Sequence, residues 1–268
     1  MTAQRRLGIL VKTFPKLSET FILEELLQLE RAGFELDVYA LQRPTDALQQ
    51  PALQRLRATV TYIDAPAPPL PLIAARHAAA FLRSPLCYSR ALLHAVARRE
   101  GRGWRDLTRA LGLVGLLRQR PVSHLHAHFI DSSGSIAEVV AMLAPVTFSL
   151  SAHAKDIYLG DPEVIRRKLQ RAAFTVTCTC FNHETLQAIA GHDCRIHRVY
   201  HGIDTGRFAL PAGATAEARA ARRPLILAVG RLRAKKGFAT LLRACAELRQ
   251  QGRDFDVEIG RASCRERV

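Results

Sequence analysis

The sequence predicts an α/β chain built on parallel sheets, with one complete doubly wound, Rossmann-like domain followed by the first βαβ unit of a second. Three observations predict it. Short apolar runs alternate with stretches of helical periodicity from Leu7 onward. About the first forty residues already read strand, loop, helix, strand, which is one βαβ unit. The same alternation then restarts after an alanine-rich stretch from Pro211 to Pro224.

The elements follow in order. Leu7 to Val11 is an apolar strand entering a Pro-containing loop, and Ser18 is placed to cap a helix whose Phe21, Ile22, Leu26 and Leu29 recur at helical spacing. Gly33 ends that helix and Glu35 to Leu41 alternates as a second strand. Pro44 to Leu56 reads as loop and short helix, Ala58 to Ile63 as a third strand, and Pro66 to Pro71 as a proline-dense connector. A mostly helical stretch spans Ile73 to Arg120. Its ten arginines against Glu100 and Asp106 leave a local charge of +8. Strands over His124 to Phe129, Val146 to Ser151, Phe174 to Cys180 and Arg195 to Tyr200 then alternate with helices over Ser135 to Leu143, Val164 to Arg171 and Asn182 to Ala190. In the second domain Leu225 to Val229 is a buried strand, GRLRAKKG a loop, Phe238 to Gln251 a helix and Phe255 to Glu258 a strand. The domain boundaries expected are 1–205, a linker over 206–224, and 225–258.

Composition narrows the function classes. With 48% hydrophobic and 24% charged residues in 268, the chain reads as a soluble globular protein. It has no apolar run of membrane-spanning length and no secretory signal at its start, so a cytoplasmic location is expected. The net charge of +15 favours a polyanionic partner: a nucleotide diphosphate, nucleic acid or an anionic membrane surface. Six cysteines show no paired CxxC spacing, and free thiols are expected. Cys178-Thr-Cys180 with His183 is the nearest approach to a metal motif. Because the pair lies in an apparent strand, no metal site is expected.

The residues that carry chemistry begin with Gly230 to Gly237. Arg231 and Lys236 stand between the end of a strand and the start of a helix, where open α/β sheets bind phosphates. A reaction that expels a diphosphate needs fixed cations and helix-terminal amides at that place. A solvated basic turn is the other reading of the octapeptide.

Four further segments carry a resemblance. They are Thr13-Phe-Pro-Lys-Leu-Ser-Glu-Thr-Phe21, His124-Leu-His-Ala-His-Phe129, Ser149-Leu-Ser-Ala-His-Ala-Lys-Asp-Ile-Tyr158, and the segment His197 to Phe208 containing His-Gly-Ile-Asp204. With them, Leu7 to Glu258 resembles the glycosyltransferase family 4 proteins of the GT-B fold, especially the branch that builds bacterial exopolysaccharides such as colanic acid. The resemblance implies a GT-B type chain with a complete acceptor-side domain and a truncated nucleotide-sugar-binding domain. It also implies a metal-independent, retaining hexosyltransferase that needs no cofactor and takes a nucleoside diphosphate sugar as co-substrate.

Residue by residue, the resemblance makes His153 the catalytic-site histidine that contacts the donor sugar, with Lys155 and Asp156 matching the same motif. Asp156 is equally readable as a helix cap. His128 becomes a cleft-lining residue, while His124 and His126 read better as packing. Ser18, Glu19 and Thr20 lie in a loop at a helix N-terminus, where amides face the cleft or Ser18 simply caps. Gly202 and Asp204 read as architectural.

The partners implied are the nucleotide-sugar donor and a lipid-linked or saccharide acceptor, with the arginine-rich helical stretch a candidate for peripheral docking on an anionic membrane. No nucleic acid is expected, since no reading motif accompanies the charge. A noncatalytic sugar- or partner-binding protein on the same fold is the competing class. Ile259 to Val268 resembles a translated sequencing adapter, and the family's paired glutamates have no counterpart. The expectation is therefore that the natural gene continues and that these 268 residues alone are inactive.

Overall fold

Seven strands form the sheet that organises most of the chain: β1 (Arg6–Thr13), β2 (Glu35–Gln42), β3 (Thr59–Tyr62), β4 (His124–His128), β5 (Thr147–Ala152), β6 (Thr175–Thr177) and β7 (Ile196–Arg198). Their order is β3-β2-β1-β4-β5-β6-β7, and every neighbouring pair is parallel. The computed structural model describes residues 6–45, 50–63, 68–97, 102–191, 193–203, 205–208, 223–230 and 232–261. The chain divides into two compact units, Met1–Ile203 and Asp204–Val268.

In the first unit β1 is buried on both faces, as an all-parallel sheet requires. Ile9 and Val11 pack on α1 (Thr20–Arg31) through Ile22, Leu23 and Leu26. Leu10 belongs to the opposite core with Leu107, Leu113 and Ile136. Those residues come from α4 (Gly103–Gln119) and α5 (Ser132–Leu143). Thus α1 covers one face of the sheet, and the helical stretch covers the other. That stretch is three helices, α2 (Leu70–Arg83), α3 (Pro85–Ala97) and α4, broken where Pro85 follows Ser84. The start of α4 lies so close to α3 that a Cβ on Gly103 would fall 1.8 Å from the Ala95 carbonyl oxygen. Glycine is needed there for close approach.

Strand order reverses between β1 and β4, the switch point at which doubly wound sheets leave a crevice at their carboxyl ends. Two buried charges fix the surroundings of that crevice. Glu138 on α5 accepts from Arg167 (3.1 and 3.3 Å) and Arg171 (3.1 Å), and His94 lies 3.3 Å away. These contacts tie α5 to α3 and to α7 (Pro162–Arg171). Burial opposes its charge, but His94 and Arg167 more than compensate and hold its carboxyl down at about 2. Lys168, 1% exposed, donates to the Ile130 carbonyl at 2.7 Å and so anchors the loop after β4.

Two local expectations need correction. Ser18 does not cap α1: the capping position is Glu19, which makes no side-chain cap bond, and Glu19 pairs instead with Lys16. Cys178 and Cys180 do not share a strand either. β6 stops at Thr177, and Thr179 Oγ1 accepts from the Asn182 amide at 3.0 Å to cap α8 (Cys180–Ala190), so a side-chain cap ends the apolar run as a helix start.

The second unit contains β8 (Leu225–Gly230), a 3-10 turn (Ala234–Lys236), α9 (Phe238–Gln250) and β9 (Asp256–Arg261). β8 and β9 are parallel from Leu225 opposite Asp256 to Gly230 opposite Arg261, so the last strand includes Ile259, Gly260 and Arg261. The rest of the adapter-like segment, and most of the expected linker, lie outside the described residues. No helix among the described residues is long and apolar enough to cross a membrane.

Candidate functional site

The end of β4, the start of α1 and the loops that leave β4, β5 and β7 bring six aromatic and imidazole rings to the crevice: Phe21, His126, His128, Phe129, His153 and His201. β4 alternates, so Leu125 and Ala127 enter the core under α5 while His126 and His128 face α1. His124 is held by Thr147 and Ser149 at 2.7 Å each, and His126 by Ser149 at 2.7 Å. Both are therefore tied into the sheet. His128, 0% exposed, has no hydrogen-bond partner among the described residues on either ring nitrogen.

After His128 the backbone turns sharply. Phe129 adopts φ of 74°, an uncommon conformation for a bulky side chain, with its amide bonded to the Ser151 carbonyl at 2.8 Å. The next amide, Ile130, donates to Asp156 Oδ2 at 2.6 Å, and the other oxygen of Asp156 accepts from the His153 amide at 3.0 Å. One carboxylate thus ties the loop after β4 to the loop after β5. Burial raises the Asp156 carboxyl to about 6 in spite of those backbone bonds.

His153 occupies the capping position of the short helix α6 (Ala154–Tyr158). Its ring lies 4.7 Å from Phe129, 4.8 Å from Phe21 and 5.5 Å from His201, centroid to centroid, and is nearly coplanar in orientation with His201. Burial, reinforced by His201, lowers its imidazole to about 4, so the ring is neutral at neutral pH. Its Nε2 is buried without a partner among the described residues. A buried nitrogen of this kind costs about 1–3 kcal/mol when left unmade, and at a site it is a group waiting for a ligand.

Glu25, on α1, lies 3.8 Å from both His126 and His128. Burial pushes its carboxyl up to about 7 and holds both imidazoles low, His126 near 4. These contacts are consequently not pairs of full charges at neutral pH. Two groups of side chains among the described residues could converge on a metal: Glu25, His126 and His128, and His153, Cys178 and His201, the donor atoms of each lying within 4.8 Å of one another.

The structure therefore gathers His128, His153 and Asp156 in one place. Ser18 and Thr20 are exposed at the start of α1 with Glu19 half-buried between them, and Lys155 is exposed on α6. In the second unit Lys236 is exposed at the end of the 3-10 turn, beside Gly230 and just before α9. Arg231 lies outside the described residues.

Phe21, Glu25, Phe129 and His201 had no assigned role in the sequence. Phe21 and Phe129 close two of the quoted motifs, so a signal was present. His201 lies within the fourth quoted segment, which was read as architectural, and Glu25 is brought in only by the fold, from a helix face.

No protein-family model matches the chain, and no curated protein matches it. Solved structures do. Sucrose-phosphate synthase from Thermosynechococcus elongatus aligns over 95% of this chain and 62% of its own, with TM-score 0.61 and 14% identity. A glycosyltransferase from Rickettsia africae aligns over 95% and 60%, with TM-score 0.58 and 12% identity. HepE from Anabaena, solved in complex with UDP-glucose, aligns over 97% and 70%, with TM-score 0.58 and 12% identity. The chain spans about 60% of the length of the first two. The fold is the GT-B type α/β fold of these glycosyltransferases.

Proposed function

We propose that the chain carries the acceptor-side domain and part of the donor-side domain of a retaining, metal-independent hexosyltransferase of glycosyltransferase family 4. It would move a sugar from a nucleoside diphosphate donor to a lipid-linked or oligosaccharide acceptor in bacterial exopolysaccharide synthesis. The observation that carries this reading is His153: a neutral imidazole at the switch-point crevice, walled by Phe21, Phe129 and His201, with a buried and unpartnered Nε2.

A neutral ring can exchange hydrogen bonds with a sugar hydroxyl, and it places no positive charge against a sugar carbon that becomes cation-like. As the donor bond breaks, negative charge grows on the departing diphosphate. Lys236 and the amides at the start of α9, with Arg231 as their sequence neighbour, are the groups we assign to it. His128 supports the wall behind His153, their rings being 6.5 Å apart. Asp156 positions His153 through its backbone, and Ser18, Glu19, Thr20 and Lys155 are assigned to the acceptor side. Retention and the exopolysaccharide role rest on the motif resemblance, and HepE's complex with UDP-glucose supports the donor class.

Saturation-transfer NMR against a panel of UDP-, GDP-, ADP- and dTDP-sugars tests the reading. At least one should receive saturation on its sugar-ring protons, and His153→Ala should remove those signals. A panel that stays silent with the unmodified protein contradicts it. We further expect negligible transferase turnover by these 268 residues, because the paired glutamates of the resemblance have no counterpart among them.

Membrane docking has its own support. On α2 and α3 the side chains of Leu82, Leu86 and Leu93 are 79, 80 and 68% exposed, and the same two helices carry Arg76, Arg83 and Arg90. Apolar side chains interleaved with arginines suit an anionic bilayer surface. Sedimentation with phosphatidylglycerol vesicles should exceed that with phosphatidylcholine vesicles, and Leu82→Ser with Leu86→Ser should abolish the difference. Equal sedimentation with both vesicle types contradicts docking.

A further inference from the structure

Behind the sheet from the histidine crevice, a cavity of about 410 Å³ opens at the carboxyl ends of β1 and β2. It is lined by Lys12, Gln42, Arg102, Arg105, Arg109 and Ser132. With Leu41 these make seven lining residues, four of them cations, and among the described residues no carboxylate lines it. Lys12 continues the β1 face that carries Leu10 into the core shared with α4 and α5. Arg102 immediately precedes α4, and Arg105 and Arg109 lie on its first turns. Ser132 opens α5, a helix of twelve residues whose capping residue Asp131 makes no side-chain cap bond.

The three arginines differ in how they are held. The Arg109 side chain is 12% exposed and lies 3.9 Å from Asp106, which fixes it in the wall. Arg102 and Arg105 are exposed, and among the described residues no acidic side chain pairs with either. The close seating of Gly103 on Ala95 aims this end of α4. Like charges gathered in a concavity repel one another and focus a strong positive potential, which a bound anion relieves. Guanidinium groups match the oxygens of phosphate two at a time, and a helix start adds amides and a favourable dipole.

We propose that this cavity binds a phosphate or diphosphate group belonging to the acceptor, on the opposite face of the sheet from the histidines. The proposal rests on the glycosyltransferase reading for the word acceptor, and on the cavity alone for the anion. It also divides the arginine-rich stretch: Arg90 is exposed on α3 and Arg76 and Arg83 line a separate cavity against Gly112 of α4, whereas Arg102, Arg105 and Arg109 line this one.

Calorimetric titration of the full chain with inorganic pyrophosphate tests it. Binding should weaken at least tenfold in the double variant Arg102→Gln with Arg105→Gln, two exposed positions whose replacement should leave the melting curve unchanged. Lys236→Gln, which touches the donor-side turn, should leave the arginine-dependent part of that binding in place. Undiminished binding in the double variant, or a loss seen with Lys236→Gln instead, overturns the assignment.

The source of the group is read by competition. Displacement of pyrophosphate by glucose 1-phosphate identifies a soluble acceptor, and displacement by phosphatidylcholine vesicles doped with a polyprenyl diphosphate identifies a lipid-linked one. Displacement by neither overturns the acceptor assignment. A silent sugar-nucleotide panel together with arginine-dependent pyrophosphate binding would reject the transferase reading and leave the anion site standing, so the two failures are distinguishable.

Discussion

In β1 the side chains of Ile9, Leu10 and Val11 are at most 1% exposed, whereas in β8 those of Leu225, Leu227 and Val229 are 55, 59 and 67% exposed. Both are short apolar strands at the head of a βαβ unit. The difference lies in what covers them. β1 lies inside the seven-stranded sheet between β2 and β4, with α1 on one face and α4 and α5 on the other, while among the described residues β8 has a single strand partner, with Gly230 lying against Phe238 of α9. An apolar run is thus enough to specify a strand, but burial requires neighbours on both faces. The same asymmetry separates the two candidate sites. The histidine crevice is built on buried strand residues and half-buried rings packed against one another, and the turn at Lys236, which we assign to phosphate, is an exposed segment.

Matched substitutions sharpen that comparison. Leu10→Ala should cost the first unit about 3 kcal/mol, the range for emptying a tightly packed leucine site, read as a lowered urea midpoint. Glu138→Ala should cost about 2 kcal/mol by removing the charge-assisted bonds from Arg167 and Arg171 that join α5 to α7. Its pH signature has a definite sign. The folded carboxyl is held at about 2 against an ordinary value of 4.5, so its stabilisation is present above pH 4.5 and is lost as pH falls toward 2. Acid unfolding of Glu138→Ala should therefore show a shallower slope across that window.

A smaller effect, of opposite sign, is expected at the crevice. His153→Phe removes a buried nitrogen that has no partner and should raise stability by about 1 kcal/mol while eliminating donor-sugar contacts. Thermal melts and the saturation-transfer panel would read the two consequences separately. The smallest change belongs to the second unit. Leu227→Ala, chemically the same deletion as Leu10→Ala, should stay within about 0.5 kcal/mol because the side chain is already in water. A loss comparable to that of Leu10→Ala would mean that β8 is covered in solution.

Most of the fold was legible because its strands are continuous apolar runs and its helices keep one apolar face. The sequence of β1, α1 and β2 needed only periodicity. Errors occurred where side chains decide an end: Thr179 converts the tail of an apparent strand into the start of α8, and Glu19 rather than Ser18 precedes α1. The histidines of β4 were readable as one face of a strand from their alternate spacing. Glu25 was not, and His201 stood in a quoted segment read only as architectural, since a helix and a loop far apart in the chain carry the two to the same crevice. The arginine pocket was hidden for a related reason. Its charge was visible as a dense stretch, but periodicity does not tell which arginines a helix turns toward the sheet.

The central claim is that the neutral imidazole of His153 meets the donor sugar, and histidine-selective NMR tests it most directly. With labelled histidine rings, addition of the nucleoside diphosphate sugar that gives saturation transfer should shift the His153 and His201 resonances and leave His77, on α2, unchanged. The His153 resonance should also stay that of a neutral ring until the pH nears 4. A His153 resonance that does not move with the donor, or that titrates at the ordinary value of 6.5, would contradict the account.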